Sequence, residues 1–265
     1  GLINPRNLVL GCEFAGEVVE IGTDVINFKV GDRVFGFDDN RWGGHAQYKA
    51  IDSRKSVALI LKGVSYESAG VAGEGAHYAL SYFMTMRKLG VTRVLVHGAT
   101  GAIGSSAVQL MKHEGWYVVA TSTTKQMSTI KGFGADKVID WQKVYFTQCG
   151  EKFDVVFDAV GKSTFKACKK LLRPKGVYIA TELGPHAQNV WFGLISPLFK
   201  LFGAKRILFP LPINNQAIIQ ELADRLADKS FTPLIDRTYP LEAIKEAYDY
   251  VETGQKTGNV AIKIN

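Results

Sequence analysis

The chain has 265 residues, is 46% hydrophobic and 22% charged, and carries a formal charge of +7 at neutral pH. That is enough to bury a sizeable core in one large domain or two modest ones, and it excludes a disordered or fibrous polypeptide. The 32 Lys and Arg are scattered among 25 Asp and Glu without a run of five or six basic residues, which favours small anionic ligands over a nucleic-acid arm.

The first third reads as strand and turn. Phe14–Ile21 (FAGEVVEI) and Arg33–Phe37 are short apolar or alternating runs, with GDR at Gly31–Arg33 and WGG at Trp42–Gly44 as turn signals. From Ser68 the pattern changes to a helical stretch through Ala76, Leu80 and Met84. Strand Arg93–His97, helix Ala102–His113, strand Tyr117–Thr121, a helix around Gln126–Phe133 and strand Lys137–Asp140 follow. Strand Asp154–Ala159, helix Thr164–Leu172 and strand Val177–Thr181 continue the alternation. Strands alternating with helices predict a parallel sheet with crossover helices, so residues 74–213 are expected to form an α/β, doubly wound Rossmann unit. The remainder predicts a helix Ala217–Ala227, an extended PLIDRTYPL segment, a helix Leu241–Val251 and a closing strand Asn259–Ile264. That strand resembles the opening ones, so residues 1–73 and 214–265 are expected to make up one β-rich domain into which the Rossmann unit is inserted.

Cys12, Cys149 and Cys168 are far apart in sequence with no CxxC pair, so neither a disulfide framework nor a zinc knuckle is expected, and a reducing, cytoplasmic setting is the default. The opening GLINPRNLVLG lacks the basic start and sustained apolar run of a signal peptide. The most lipid-like segment, Val190–Ile213, is broken by Pro197, Lys200, Lys205, Arg206, Pro210 and Pro212, whereas a spanning helix needs about 20 mostly apolar residues. No membrane span is expected.

Between the strand at His97 and the helix at Ala102 lies Gly98-Ala-Thr100-Gly101-Ala102-Ile103-Gly104. A tight glycine turn opening a helix lets a pyrophosphate approach free N–H groups at the positive end of the helix dipole. The second and third glycines of the dinucleotide fingerprint are present, and Ala99 stands at the first. A glycine-rich turn that merely packs helix on strand is the bland alternative; the strand before, the helix after and the next strand on schedule favour dinucleotide binding. An acid roughly 20 residues on would bind a ribose 2′-OH and repel a 2′-phosphate. Thr121, Ser122 and Thr123 stand there instead, followed by Lys125, so NADP(H) is expected over NAD(H). Lys125 as a solvated first-turn residue is the alternative.

GCEFAGEVVEIG (Gly11–Gly22), NFKVGDRVFG (Asn27–Gly36), GGHAQY (Gly43–Tyr48), the glycine turn, GFGADKVIDW (Gly132–Trp141), FDVVFDAVGK (Phe153–Lys162) and RTYPLEAIKEAYDYVETGQKTGNVAI near the end together resemble the medium-chain dehydrogenase/reductase superfamily, and within it the zinc-independent quinone oxidoreductase branch. The resemblance implies a GroES-like catalytic domain and a cofactor site at Thr100, Gly101, Ala102, Ile103 and Gly104 for the pyrophosphate, with Ser122, Thr123 and Lys125 for the 2′-phosphate. Trp141 would lie near the adenosine or be a plain core aromatic, Val160 and Leu183 would border the nicotinamide ribose, and Asn259 would reach the cofactor or serve as a turn residue.

Two departures from the family pattern matter. Gly11-Cys12-Glu13 replaces the GHE triplet whose histidine binds catalytic zinc in zinc-dependent members, and Val71–Gly75 lacks the further cysteine, so no metal is expected. Members also carry further strands, on the order of 70 residues, before the GCEFAG-like segment, and with them the proposed proton donor; the chain is expected to begin inside its catalytic domain, and its catalytic residue stays unassigned. The implied activity is hydride transfer from NADPH to a quinone or α,β-unsaturated carbonyl. An NADP-dependent alcohol or aldehyde oxidoreductase and a non-catalytic NADPH-binding protein are the rivals. An edge strand at Arg206–Phe209 beside the apolar stretch Val190–Phe202 predicts a homodimer, with packing of that stretch inside its own subunit or contact with a membrane surface as the alternatives.

Overall fold

The computed structural model of the chain describes residues 8–183, 189, 204–209 and 216–264. Two compact units divide it: Gly1–Tyr78 with Ile213–Asn265, and Ala79–Pro212.

The first unit opens with β1 (Glu13–Glu17), β2 (Arg33–Phe37) and β3 (Val57–Leu59), an antiparallel sheet in that order in which Glu13 faces Phe37 and Val34 faces Leu59. β1 is shorter than the apolar run Phe14–Ile21 predicts, because its ladder ends where Glu17 meets Arg33 at the start of β2. Val19 and Ile21 are exposed in consequence. The short helix α1 (Tyr66–Gly70) begins at Ser65, whose hydroxyl accepts the Ser68 N–H at 3.1 Å and satisfies one of the free first-turn donors. α2 (Gly75–Lys88) then carries the chain from one unit to the other.

The second unit alternates β4 (Arg93–His97), α3 (Ala102–His113), β5 (Tyr117–Ser122), α4 (Met127–Gly132), β6 (Lys137–Asp140), β7 (Phe153–Asp158), α5 (Phe165–Cys168), β8 (Leu172–Ala180) and β9 (Arg206–Leu208). Its strands form one parallel six-stranded sheet in the order β6-β5-β4-β7-β8-β9. The central strands are buried through consecutive residues, Val94 to Val96, Val118 to Ala120 and Val155 to Phe157, as a sheet covered on both faces demands. Burying one such side chain contributes about 1.5–3 kcal/mol, so this layer is where the unit's stability concentrates. The helix expected at Thr164–Leu172 is shorter: Thr164 caps α5 by accepting the Ala167 N–H at 3.2 Å, a single 3-10 turn follows, and β8 has begun by Leu172. Pairing with β7 then skips from Leu172 to Val177, around Pro174 and the left-handed Lys175 (φ 62°).

Back in the first unit, α6 (Gln216–Ala227) buries Ile218, Ile219, Leu222, Ala223 and Leu226 along one face, and the Gln216 side-chain amide donates to the Val57 carbonyl of β3 at 2.7 Å. β10 (Ile235–Pro240) and β11 (Asn259–Lys263) pair in parallel, with α7 (Ile244–Glu252) between them in sequence as parallel connection requires. Among the described residues the closing strand makes a two-stranded sheet with β10 and does not join β1–β3. The apolar stretch Val190–Phe202 lies outside the described residues. Among those described, no helix is long and apolar enough to cross a membrane.

Candidate functional site

The strand order of the six-stranded sheet reverses between β4 and β7, and in open parallel sheets the crevice beyond the carboxyl ends at such a reversal is where ligands bind. At the end of β4 the chain turns through Gly98 (φ 84°) into α3. A Cβ on Gly98 would lie 2.3 Å from Val160 Cγ1, and one on Gly104 would lie 2.1 Å from the Gly98 carbonyl oxygen. Neither position admits a side chain, so the first turn of α3 rests directly on the strand end. Thr121 on β5 braces this turn: its hydroxyl accepts the Gly98 N–H at 3.0 Å and sits 2.9 Å from His97 Nδ1, while its carbonyl accepts the Ala99 N–H at 3.2 Å. Gly101 caps α3 without a side-chain hydrogen bond, which leaves the first-turn N–H groups of Ala102, Ile103 and Gly104 to an anion.

Ser122 is the last residue of β5, and Thr100, Gly101, Ala102, Ile103, Gly104, Thr123, Lys125, Trp141, Val160 and Leu183 all follow the carboxyl ends of β4 to β8 within this unit. Lys125 is exposed in a 3-10 turn, Thr124–Gln126. Ser122 is fully buried and its hydroxyl donates to the Thr123 carbonyl at 2.7 Å, so it shapes the strand end. Trp141 is 49% exposed and so is no core aromatic, and its backbone N–H donates to the Ser122 carbonyl at 3.1 Å. Asn259 belongs to the other unit, at the head of β11, where its N–H and its side-chain amide both donate to the Leu234 carbonyl, at 2.8 and 3.0 Å.

Sequence reasoning passed over two acids in this region. Asp140 stands opposite Ser122 in the β5–β6 ladder; its carboxylate accepts the Gln142 N–H at 3.0 Å and the Thr124 hydroxyl, and that hydroxyl holds its pKa below the usual carboxylate range. The acid sought at the end of β5 thus arrives from the neighbouring strand with its oxygens engaged. Asp158, at the end of β7 and fully buried, gathers donors from the loop that follows it. Their sequence signals, Ile-Asp-Trp and Phe-Asp-Ala-Val-Gly, were visible only as parts of the family resemblance.

The first unit holds a separate set of ionisable groups. The Cys12 thiol donates to Glu74 Oε2 at 3.5 Å, and a Glu13 carboxylate oxygen accepts the Glu74 N–H. Burial, aided by the Glu74 charge, pushes Glu13 up to about 8, so it holds its proton at neutral pH. Burial also raises the Cys12 thiol, with Glu74 and Glu13 adding to it, and pulls Lys256 down. The His45 ring meets Tyr248 edge-on, centroids 5.9 Å apart, with the Tyr248 hydroxyl 3.5 Å from Nδ1.

Residues 2–88 match the family model of the alcohol dehydrogenase GroES-like domain, and residues 133–262 match that of the zinc-binding dehydrogenase. The two fall in the order that the opening β-rich segment and the doubly wound sheet require. The chain belongs to the medium-chain dehydrogenase/reductase superfamily. It is 30% identical over 273 residues to the 2-methylene-furan-3-one reductase of Solanum lycopersicum, an alignment covering 98% of this chain and 64% of that protein. To the chloroplastic quinone-oxidoreductase QR1 of Triphysaria versicolor it is 29% identical over 262 residues, covering 95% of this chain and 78% of the relative. The Escherichia coli quinone oxidoreductase complexed with NADPH shares the fold, with a TM-score of 0.81 at 21% identity over 99% of this chain and 85% of its own. This medium-chain dehydrogenase/reductase thus falls in the quinone oxidoreductase-like branch. The zinc in the family model's description finds no ligand set among the described residues. A catalytic zinc needs three protein ligands, whereas no group of three His, Cys, Asp or Glu among the described residues is placed to hold a metal ion. The Cys12 thiol donates to Glu74 Oε2, and burial raises its pKa.

Proposed function

We propose that the chain is an NADP(H)-dependent oxidoreductase that passes hydride to a quinone or an α,β-unsaturated carbonyl. The observation that carries this reading is the glycine turn at the strand-order reversal, followed by a β5 end that bears exposed Lys125 and whose nearest acid, Asp140, is tied to Thr124 and Gln142. The tomato relative is named as a furanone reductase and the Triphysaria relative as a quinone oxidoreductase, and the Escherichia coli protein of the same fold binds NADPH. When bound, the reduced nicotinamide supplies a hydride. The chain's own residues do the rest: the N–H groups of Ala102, Ile103 and Gly104 receive the pyrophosphate, Lys125 with Thr123 meets the 2′-phosphate, and Trp141 flanks the adenosine side. Val160 and Leu183 would border the nicotinamide end. Asn259 is spent on Leu234 and serves the β10–β11 pair. The strand β9, at the edge of the sheet among the described residues, pairs with its copy in a homodimer, covering the N–H and C=O groups such an edge presents. Free thiols at Cys12, Cys149 and Cys168 suit a reducing cytoplasm.

Fluorescence titration with NADPH and NADH tests the reading. Tighter binding of NADPH is expected, together with NADPH oxidation on adding a quinone or an enone, and Lys125→Ala erases most of the preference. Equal affinity of the wild type for the two cofactors refutes the 2′-phosphate assignment. Tight NADPH binding without turnover of any quinone or enone leaves a binding protein in place of an enzyme.

A further inference from the structure

Asp158 ends β7 with its carboxylate fully buried, a costly place for a charge unless every lone pair is met. Oδ1 accepts the N–H groups of Val160 at 3.2 Å and Gly161 at 3.0 Å. Oδ2 accepts the N–H of Ser163 at 2.9 Å and the Tyr178 hydroxyl of β8 at 2.8 Å. These donors use up the roughly four acceptor positions of an ionised carboxylate. Three of them come from the backbone of one five-residue loop, Ala159–Ser163, so the carboxylate dictates where that loop runs.

The loop is also gripped from both sides. On one side the Ala159 N–H donates to the His97 carbonyl at 2.9 Å, and the Val160 side chain occupies the space that a Cβ on Gly98 would need. On the other, Gly161 (φ 63°) sits so close to Glu182 that an added Cβ would come within 2.4 Å of that side chain, and the Thr181 N–H donates to the Asp158 carbonyl at 3.1 Å. Moving the loop therefore moves the contact with the glycine turn, at the point where β4 and β7 diverge.

We propose that Asp158 is a positioning residue for the bound dinucleotide: its carboxylate sets Val160 and Gly161 against the Gly98 turn, so that the turn and the loop form one preorganised wall. This rests on the cofactor reading above. Asp158→Asn keeps the side chain's size but turns one acceptor oxygen into a donor amide, which cannot receive the loop N–H groups it faces. The lost hydrogen bond to a charged acceptor predicts a rise of about tenfold in the NADPH Kd and KM, with kcat within about twofold of wild type. Tyr178→Phe removes the one donor that lies outside the loop, leaves the three backbone donors in place, and is expected to raise the Kd less than Asp158→Asn does.

The test is fluorescence titration of wild-type, Asp158→Asn and Tyr178→Phe proteins with NADPH, below the melting temperature of each, together with steady-state kinetics. A merely structural role lowers the melting temperature and leaves the Kd of the folded protein unmoved, and that result overturns the proposal, as does a fall in kcat at constant Kd. Gly161→Ala decides the matter if Asp158→Asn does not fold: it displaces the loop through Glu182 while leaving Asp158 in place, and it raises the NADPH Kd if the proposal holds. A wild-type Kd in folded Gly161→Ala overturns the proposal. Wild-type protein that binds no NADPH defeats the proposed function and this inference with it, whereas equal NADPH binding by wild type and Asp158→Asn defeats this inference alone.

Discussion

His77, in the first turn of α2, is fully buried, and neither ring nitrogen has a hydrogen-bond partner among the described residues. Its ring packs on Phe37, centroids 5.0 Å apart, and burial pulls its pKa from 6.5 down to about 4, with only the charge of Asp39 working upward. The unfolded chain therefore takes up a proton near pH 6.5 that the folded protein refuses until about pH 4. The stability contributed by a neutral His77 is present in full above pH 6.5 and is lost as the pH falls through that window; at about 1.4 kcal/mol per pKa unit, the whole is worth about 3 kcal/mol. Glu13 runs the other way: its folded pKa is raised from 4.5 to about 8, so its contribution is present below 4.5 and is lost as the pH rises through 8. The raw pH profile mixes the two, and a difference against His77→Phe, which keeps a ring on Phe37 and removes the titration, isolates the imidazole. Urea unfolding followed by circular dichroism, at a series of pH values between about 7.5 and 4.5, should show the wild type losing about 2.5 kcal/mol more than His77→Phe. Parallel profiles for the two proteins would refute the reasoning.

Gly104→Ala forces α3 off the Gly98 carbonyl and is expected to weaken NADPH binding by about tenfold or more in a protein that still folds; an unchanged Kd in a titration would mean that the close approach is dispensable. Leu208→Pro takes an N–H from β9, and light scattering should then fall from about twice the chain mass to about once; a wild type that stays monomeric at micromolar concentration excludes the paired edge. Incubation with a strong chelator is expected to leave NADPH binding and reductase activity unchanged, and loss of activity that zinc restores would reverse the reading of Cys12.

Much of the fold was legible locally. Strand Arg93–His97 and helix Ala102–His113 run in the structure between the residues their periodicity indicates, because a continuous apolar run, a glycine turn and an amphipathic helix each carry their signal within a few residues. β1 and α5 came out shorter than expected, since where a ladder or a helix stops depends on the partner it meets.

The candidate site divides along the same line. The sequence by itself determined that a glycine turn opens a helix after a strand and that β5 ends on hydroxyls and Lys125 with no acid of its own. Only the tertiary structure decided which strands lie side by side, and with that order came the rest. It brought Asp140 opposite Ser122, set Thr121 beneath Gly98 at a separation of 23 residues, joined Asp158 to Tyr178 across 20 and Cys12 to Glu74 across 62. Hydrogen bonds of that kind leave no local periodicity, because a buried carboxylate or hydroxyl is placed by whichever donors the packed sheet delivers to it, and those donors come from elements whose adjacency exists only after the chain has folded.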